Sequence, residues 1–146
     1  MQTRMLRDIE VSEVGMGCMA FSHGYGQIPE EEYSIEAIRN AYNHGCTFFD
    51  TAEVYSPNLS GIGHNERIVG KALADVRDNV VIATKLMLHG VGSGSVYKTI
   101  RSHLEGSMER LRTDRVDLYY LHRMSGVPIE KIADAMGLSV LILEKG

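Results

Sequence analysis

Apolar residues in this chain fall into two spacings that take turns. Short continuous runs, Val14-Gly15-Met16-Gly17-Cys18-Met19, Thr47-Phe48-Phe49, Val80-Val81-Ile82-Ala83-Thr84 and Val116-Asp117-Leu118-Tyr119-Tyr120-Leu121, read as buried strands. After each run the apolar positions recur every three to four residues: Ile35, Ile38, Ala41 and Tyr42; then Ile68, Val69, Ala72 and Leu73; then Ile100, Leu104, Met108 and Leu111; then Ile129, Ile132, Ala133 and Met136. Each set draws one stripe along a helix. Local chemistry marks the helix ends. Glu30-Glu31-Glu32 suits the positive end of the first helix and Gly45 its termination, while Asn65 is placed to cap the second and Ser93 or Ser95 the third. Pro128 suits the first turn of the fourth helix. Ahead of all of them, the N-terminal segment predicts a hairpin around Arg7-Asp8.

Strands alternating with amphipathic helices imply βαβ units, hence parallel strands joined by right-handed crossovers. A doubly wound sheet and a barrel both fit that pattern. A dinucleotide-binding sheet turns from its first strand into a helix through Gly-x-Gly-x-x-Gly, whereas Gly15-Met16-Gly17 lies inside the predicted strand. No low-complexity stretch or linker interrupts the chain, so residues 1–146 read as a single domain. At 44% hydrophobic and 23% charged residues, its composition is that of a globular domain able to bury a core, without a membrane span. A net charge of -4 argues against a nucleic acid partner, which requires a basic surface. Cys18 and Cys46 have neither metal nor redox spacing, and His23, His44, His64, His89 and His103 share no ligand spacing, so no metal is expected. Charges within the first eight residues argue against an export signal, and a reduced, cytoplasmic protein is the expectation.

Proton-handling side chains stand at the ends of the predicted strands. Asp50 follows Thr47-Phe48-Phe49, Tyr55 comes shortly after it, Lys85 closes the Val80 run and His122 closes the Val116 run. Successive strand ends of that kind converge on a shared pocket. Taken singly, each has a plainer reading: an Asp after a strand caps a turn, and a Lys at a strand end is solvated. Arg123 can meet an anionic substrate group or a neighbouring carboxylate, the second being the plainer reading, and the two cysteines are read as small core residues. The polar loops at 22–29 and 56–64 stand where they can shape a pocket.

In order and context, Asp50, Tyr55, Lys85 and His122 match the catalytic tetrad of the aldo-keto reductases, and the chain resembles that family from Val11 to Glu130. The matching blocks are Gly15-Met16-Gly17-Cys18-Met19, Gly24-Tyr25-Gly26, Phe48-Phe49-Asp50-Thr51-Ala52-Glu53-Val54-Tyr55, His64-Asn65-Glu66-Arg67-Ile68-Val69-Gly70-Lys71-Ala72-Leu73 and Asp117-Leu118-Tyr119-Tyr120-Leu121-His122-Arg123. The resemblance implies an α/β fold, a partial TIM barrel with about four βα units of a (β/α)8 aldo-keto reductase fold whose full form takes roughly 250 residues. It further implies an NADPH-dependent oxidoreductase that reduces a small aldehyde or ketone, with the cofactor extended across the barrel mouth and Met19 and Asp50 against the nicotinamide riboside. The chemistry suits the residues. Reduction needs a proton donor, and a free tyrosine, with pKa about 10, gives its proton up too reluctantly unless an ammonium stabilises the phenolate. Tyr55 takes the role of acid, Lys85 supplies the ammonium, Asp50 holds it, and His122 orients the carbonyl oxygen.

The chain also departs from the family pattern. Arg123-Met124-Ser125-Gly126-Val127-Pro128 is shorter than the family's usual loop, Gly137-Leu138-Ser139 looks like the end of a fifth strand, and residues 137–146 form an atypical tail. Barrel phosphate sites commonly follow strands seven and eight, so a truncated form with impaired activity and weak cofactor affinity is expected. A non-catalytic binding or regulatory module and a gene fragment without function are the rival readings. Open edges on the first and fourth strands imply self-association.

Overall fold

The computed structural model describes residues 1–24, 26–58, 61–89 and 95–143. β1 (Thr3–Leu6) and β2 (Ile9–Ser12) pair antiparallel, with Leu6 opposite Ile9 and the turn at Arg7-Asp8 carrying Arg7 at φ 56°. The expected hairpin is therefore present. Four parallel strands follow: β3 (Met16–Gly17), β4 (Phe48–Asp50), β5 (Val81–His89) and β6 (Leu118–Ser125). They lie in sequential order β3-β4-β5-β6, and one helix follows each: α1 (Glu31–Asn43), α2 (His64–Leu73), α3 (Val96–Leu111) and α4 (Ile129–Leu143). Strand order that never reverses is the winding of a barrel, since a doubly wound sheet turns back at a switch point.

Helix ends largely follow their local chemistry. Glu31 and Glu32 occupy the first turn of α1, and Gly45, at φ 91°, ends it by donating to Tyr42 O at 2.8 Å. Ser95 caps α3, its hydroxyl accepting from Lys98 N; Ser93 lies outside the described residues. Between helices and sheet lies a core of Ile38, Phe49, Ile68, Leu73, Ile82 and Leu111. A second cluster joins α3, α4 and the far ends of β5 and β6 through Leu86, Leu88, Ile100 and Ile132. Cys18 and Cys46 are buried free thiols.

Five expectations change. The first parallel strand is two residues long rather than Val14–Met19, because the backbone turns into a short 3-10 helix at Met19–Phe21 once Cys18 N has bonded Asp50 O at 2.8 Å. Asn65 is not a cap: α2 starts at His64, Gly63 holds the cap position at φ 78°, and the buried Asn65 side chain bonds across the sheet end. Lys85 and His122 do not close their strands. Pairing of β5 with β6 runs on to His89 opposite Ser125, and inside β5 the Lys85 ammonium is tolerated because it has partners. Gly137-Leu138-Ser139 belongs to α4 and ends no strand, and on that helix Ile132, Ala135 and Met136 pack inward while Ile129 is exposed. Residues 144–146 of the tail, like Tyr25, lie outside the described residues.

The start of β6 is tied down where no reaction is expected. Buried Arg77 donates to Asp117 Oδ2 at 2.7 Å, Val80 O at 2.9 Å and Arg115 O at 3.0 Å, while Asp117 Oδ2 also accepts from Ile82 N at 2.8 Å. This anchoring sits at the N-terminal ends of the strands, the face that serves stability in barrels.

Candidate active site

At the opposite end of the sheet the chain leaves β4 through a run of turns tied to β5. Thr51 N donates to Ala83 O at 2.9 Å, Glu53 N to Lys85 O at 3.2 Å and Tyr55 N to Ala52 O at 3.2 Å. Those bonds carry Tyr55 back over the end of β5. Lys85 projects from the middle of that strand, and its ammonium has three donors to place. Nζ lies 2.5 Å from Asp50 Oδ1, 2.7 Å from Thr51 O and 3.3 Å from the Tyr55 hydroxyl. The ammonium is thereby fixed between carboxylate and phenol.

His122 reaches the same place through an irregularity in the sheet. Leu86 pairs with Leu121 but Met87 pairs with Arg123, so β6 carries one extra residue, His122, opposite the Leu86-Met87 step. A bulge of this kind re-aims a side chain. The imidazole meets the Tyr55 ring edge to face at 5.6 Å, with the planes at 89°. Its Nδ1 is buried without a hydrogen-bond partner among the described residues, and burial first, then the charges of Lys85 and Arg123, hold its pKa below the ordinary value. Asp50, Tyr55, Lys85 and His122 thus form one contiguous group, as their positions in the sequence predict.

A second, buried layer supports the first. Asn65 donates to Cys18 O and Ser22 Oγ, both at 2.8 Å, and accepts from Thr51 Oγ1 at 2.6 Å. It ties the exit of β3 to the segment bearing Tyr55. The carboxylate of Glu53 accepts from Met87 N at 2.7 Å and meets His103 Nδ1 at 2.7 Å. Glu66 accepts from Thr84 Oγ1 and from Arg110 Nε, both at 2.6 Å. The hydroxyl of Tyr119 is buried and has no partner among the described residues; burial above all, then Glu53 and Glu66, pushes its pKa far up. Sequence reasoning singled out none of these roles. For His103 the available signal was a titratable residue three positions after Ile100, on the helix face that packs inward.

Two cavities meet at His122. One, of about 750 Å³, is bounded by Asp50, Lys85 and His122 with the apolar inner wall of Met16, Phe48 and Leu121. The other, of about 640 Å³, is bounded by Met19, Tyr55, His103, His122 and Arg123, closed by His23 and Ile62 from the two polar loops. Those loops do shape a pocket. Met19 and Asp50, expected on one cofactor ring, line different cavities that share His122. Arg123 is exposed and makes no ion pair among the described residues, against the expectation of a carboxylate partner. Among the described residues no cluster of His, Cys, Asp or Glu could hold a metal, and no helix is long and apolar enough to cross a membrane.

Comparison with known proteins places this arrangement. A sequence model of the Aldo/keto reductase family matches residues 13–138. A probable aldo-keto reductase of Glycine max is 40% identical over 130 residues, which cover 84% of this chain and 36% of that protein. The holo form of an aldo-keto reductase from Bacillus halodurans superposes with a TM-score of 0.76 at 29% identity, covering 94% of this chain and 46% of that one. An aldo-keto reductase from Klebsiella pneumoniae, solved in complex with NADPH, gives 0.76 at 28% identity over 97% of this chain and 46% of that one. The chain spans about half the length of these solved structures, or less.

Proposed function

The chain belongs to the aldo/keto reductase family, with four βα units of its barrel, and on that premise we propose that it serves the NADPH-dependent reduction of an aldehyde or ketone to the alcohol. The observation that carries this reading is Lys85 Nζ held at once by Asp50 Oδ1 at 2.5 Å and by the Tyr55 hydroxyl at 3.3 Å. A phenol so placed gives up a proton and leaves a phenolate against an ammonium. His122, kept neutral by its surroundings, hydrogen-bonds the substrate oxygen and aligns it with that proton. Met19, Ile62, Met87 and Leu88 give the cavity beside Tyr55 and His122 apolar patches of wall for the carbon skeleton of a substrate.

The nicotinamide, when bound, supplies the hydride to the carbonyl carbon. The residues suit it: Asp50 is about one-third exposed at its side chain, and Oδ2 has no hydrogen-bond partner among the described residues, leaving it free to accept from a ribose hydroxyl. Met19 offers a thioether on the rim. Met19 and Asp50 are therefore the residues assigned to the nicotinamide riboside. Barrel phosphate sites commonly follow strands seven and eight, beyond the four parallel strands here, so the 146-residue polypeptide alone is expected to hold NADPH weakly and to reduce carbonyls slowly.

The test is Tyr55→Phe. Loss of a positioned acid costs about 10²- to 10⁴-fold in turnover, while saturable NADPH binding, read by nicotinamide fluorescence, persists. Carbonyl reduction that survives the substitution unchanged would sink the reading.

A further inference from the structure

One residue of the buried network also reaches the wall of the second cavity. His103 faces Glu53 Oε2 with Nδ1 at 2.7 Å, and an ionised carboxylate only accepts, so Nδ1 carries the proton. Glu53 has a side chain 2% exposed, held from the other side by Met87 N, with Arg110 Nη2 3.9 Å from the same Oε2. A buried carboxylate in that position favours a charged partner, and its hydrogen bond raises the pKa of His103 against the opposing effect of burial. Glu66 reinforces the rise and Arg110 opposes it. The His103 side chain is 31% exposed, and Nε2 makes no hydrogen bond among the described residues. The cavity it lines with Tyr55 and His122 also holds the exposed Arg123, and among the described residues Arg123 has no ion pair and no carboxylate but the already engaged Glu53 lines the cavity.

We propose that His103 is a specificity-determining residue: held at Nδ1 by Glu53, it presents Nε2–H to the cavity and, with Arg123, receives a carboxylate carried by the carbonyl substrate. The proposal rests on the reductase reading and narrows it, selecting anionic aldehydes or ketones over neutral ones. Glu53 orients the imidazole and touches no substrate, so it acts as a positioning residue.

Selectivity is measured as the ratio of kcat/KM for 4-carboxybenzaldehyde to that for benzaldehyde. In His103→Gln the ratio falls about tenfold, the scale of one charge-assisted hydrogen bond. In the unaltered chain the ratio declines as pH rises through the His103 pKa, which lies above the ordinary value of about 6.5. His122, already neutral there, acts on both substrates and cancels. His23 lines the same cavity, so His23→Gln serves as the control and keeps the decline. His103→Lys keeps the preference for the anion and loses the decline. A ratio unmoved in folded His103→Gln, or a decline abolished by His23→Gln, overturns the proposal; should the variants not fold, the pH profile of the unaltered chain decides. If neither aldehyde is reduced, the reductase reading fails separately. Terephthalate titrated against the imidazole NMR signals then decides this proposal: a saturable shift of the His103 signal supports it, and no shift overturns it.

Discussion

At the scale of single residues, two of the histidines bordering the second cavity, His122 and His103, are tuned in opposite directions. His122 has a lowered pKa, so as pH falls past about 6.5 the unfolded chain takes up that proton before the folded one. Its contribution to stability is therefore full above that pH and is lost as pH falls towards its folded pKa. His103 has a raised pKa, so its contribution is full below about 6.5 and fades as pH rises through its folded value. We expect His122→Gln to weaken the acid-side loss of thermal stability between about pH 7 and 5, and His103→Gln to weaken the alkaline-side loss. Melting temperatures followed to both sides of about pH 6.5 check both, and a His122→Gln profile parallel to that of the unaltered chain contradicts the assignment. The tetrad residues were legible because each is a polar residue after an apolar run in a recognisable block. His103 and Glu53 were not, since their pairing joins positions 50 apart through the docking of α3.

Among elements, the contact of α2 with α3 sets where Glu66 and Arg110 meet. Gly70 lies in the middle of α2 and is buried; a Cβ there would come within 2.7 Å of Arg110 O and of the Leu111 backbone. Backbone cannot swing aside as a side chain can. Gly70→Ala, although it raises helix propensity, is therefore expected to lower stability by about 1–3 kcal/mol, read from urea unfolding. An unchanged or higher midpoint would mean that the two helices separate freely. Helix existence and the apolar stripes of α1, α2 and α3 followed from periodicity alone. Strand ends did not, because continuation of β5 and β6 past Lys85 and His122 depends on each strand supplying hydrogen bonds to the other. The same dependence produces the bulge that aims His122, which no single-strand pattern contains.

For the molecule as a whole, β3 and β6 each have one neighbour in the parallel sheet, and the inner wall carries Met16, Phe48 and Leu121 beside the partly exposed Tyr120. Unpaired strand edges beside apolar surface recruit further strands. Expressed by itself, the 146-residue polypeptide is expected to self-associate, with a sedimentation mass that rises with concentration to that of two or more chains. A single monomer mass throughout would show that these edges are protected in solution.

The order of residues along the chain is enough to set the alternation of strand and helix, the parallel sheet that follows from it, and four polar residues gathered at one end of that sheet. Those are consequences of local spacing, and local spacing survives without knowledge of neighbours. Tertiary structure alone decided that Asn65 would leave the cap role to brace the tetrad segment, that a bulge would present His122, and that Glu53 would hold His103 at the cavity wall. Each of those depends on groups far apart in the chain competing for the same buried hydrogen bonds. Burial makes an unsatisfied polar group costly, so the packed fold, rather than any local preference, chooses the partners.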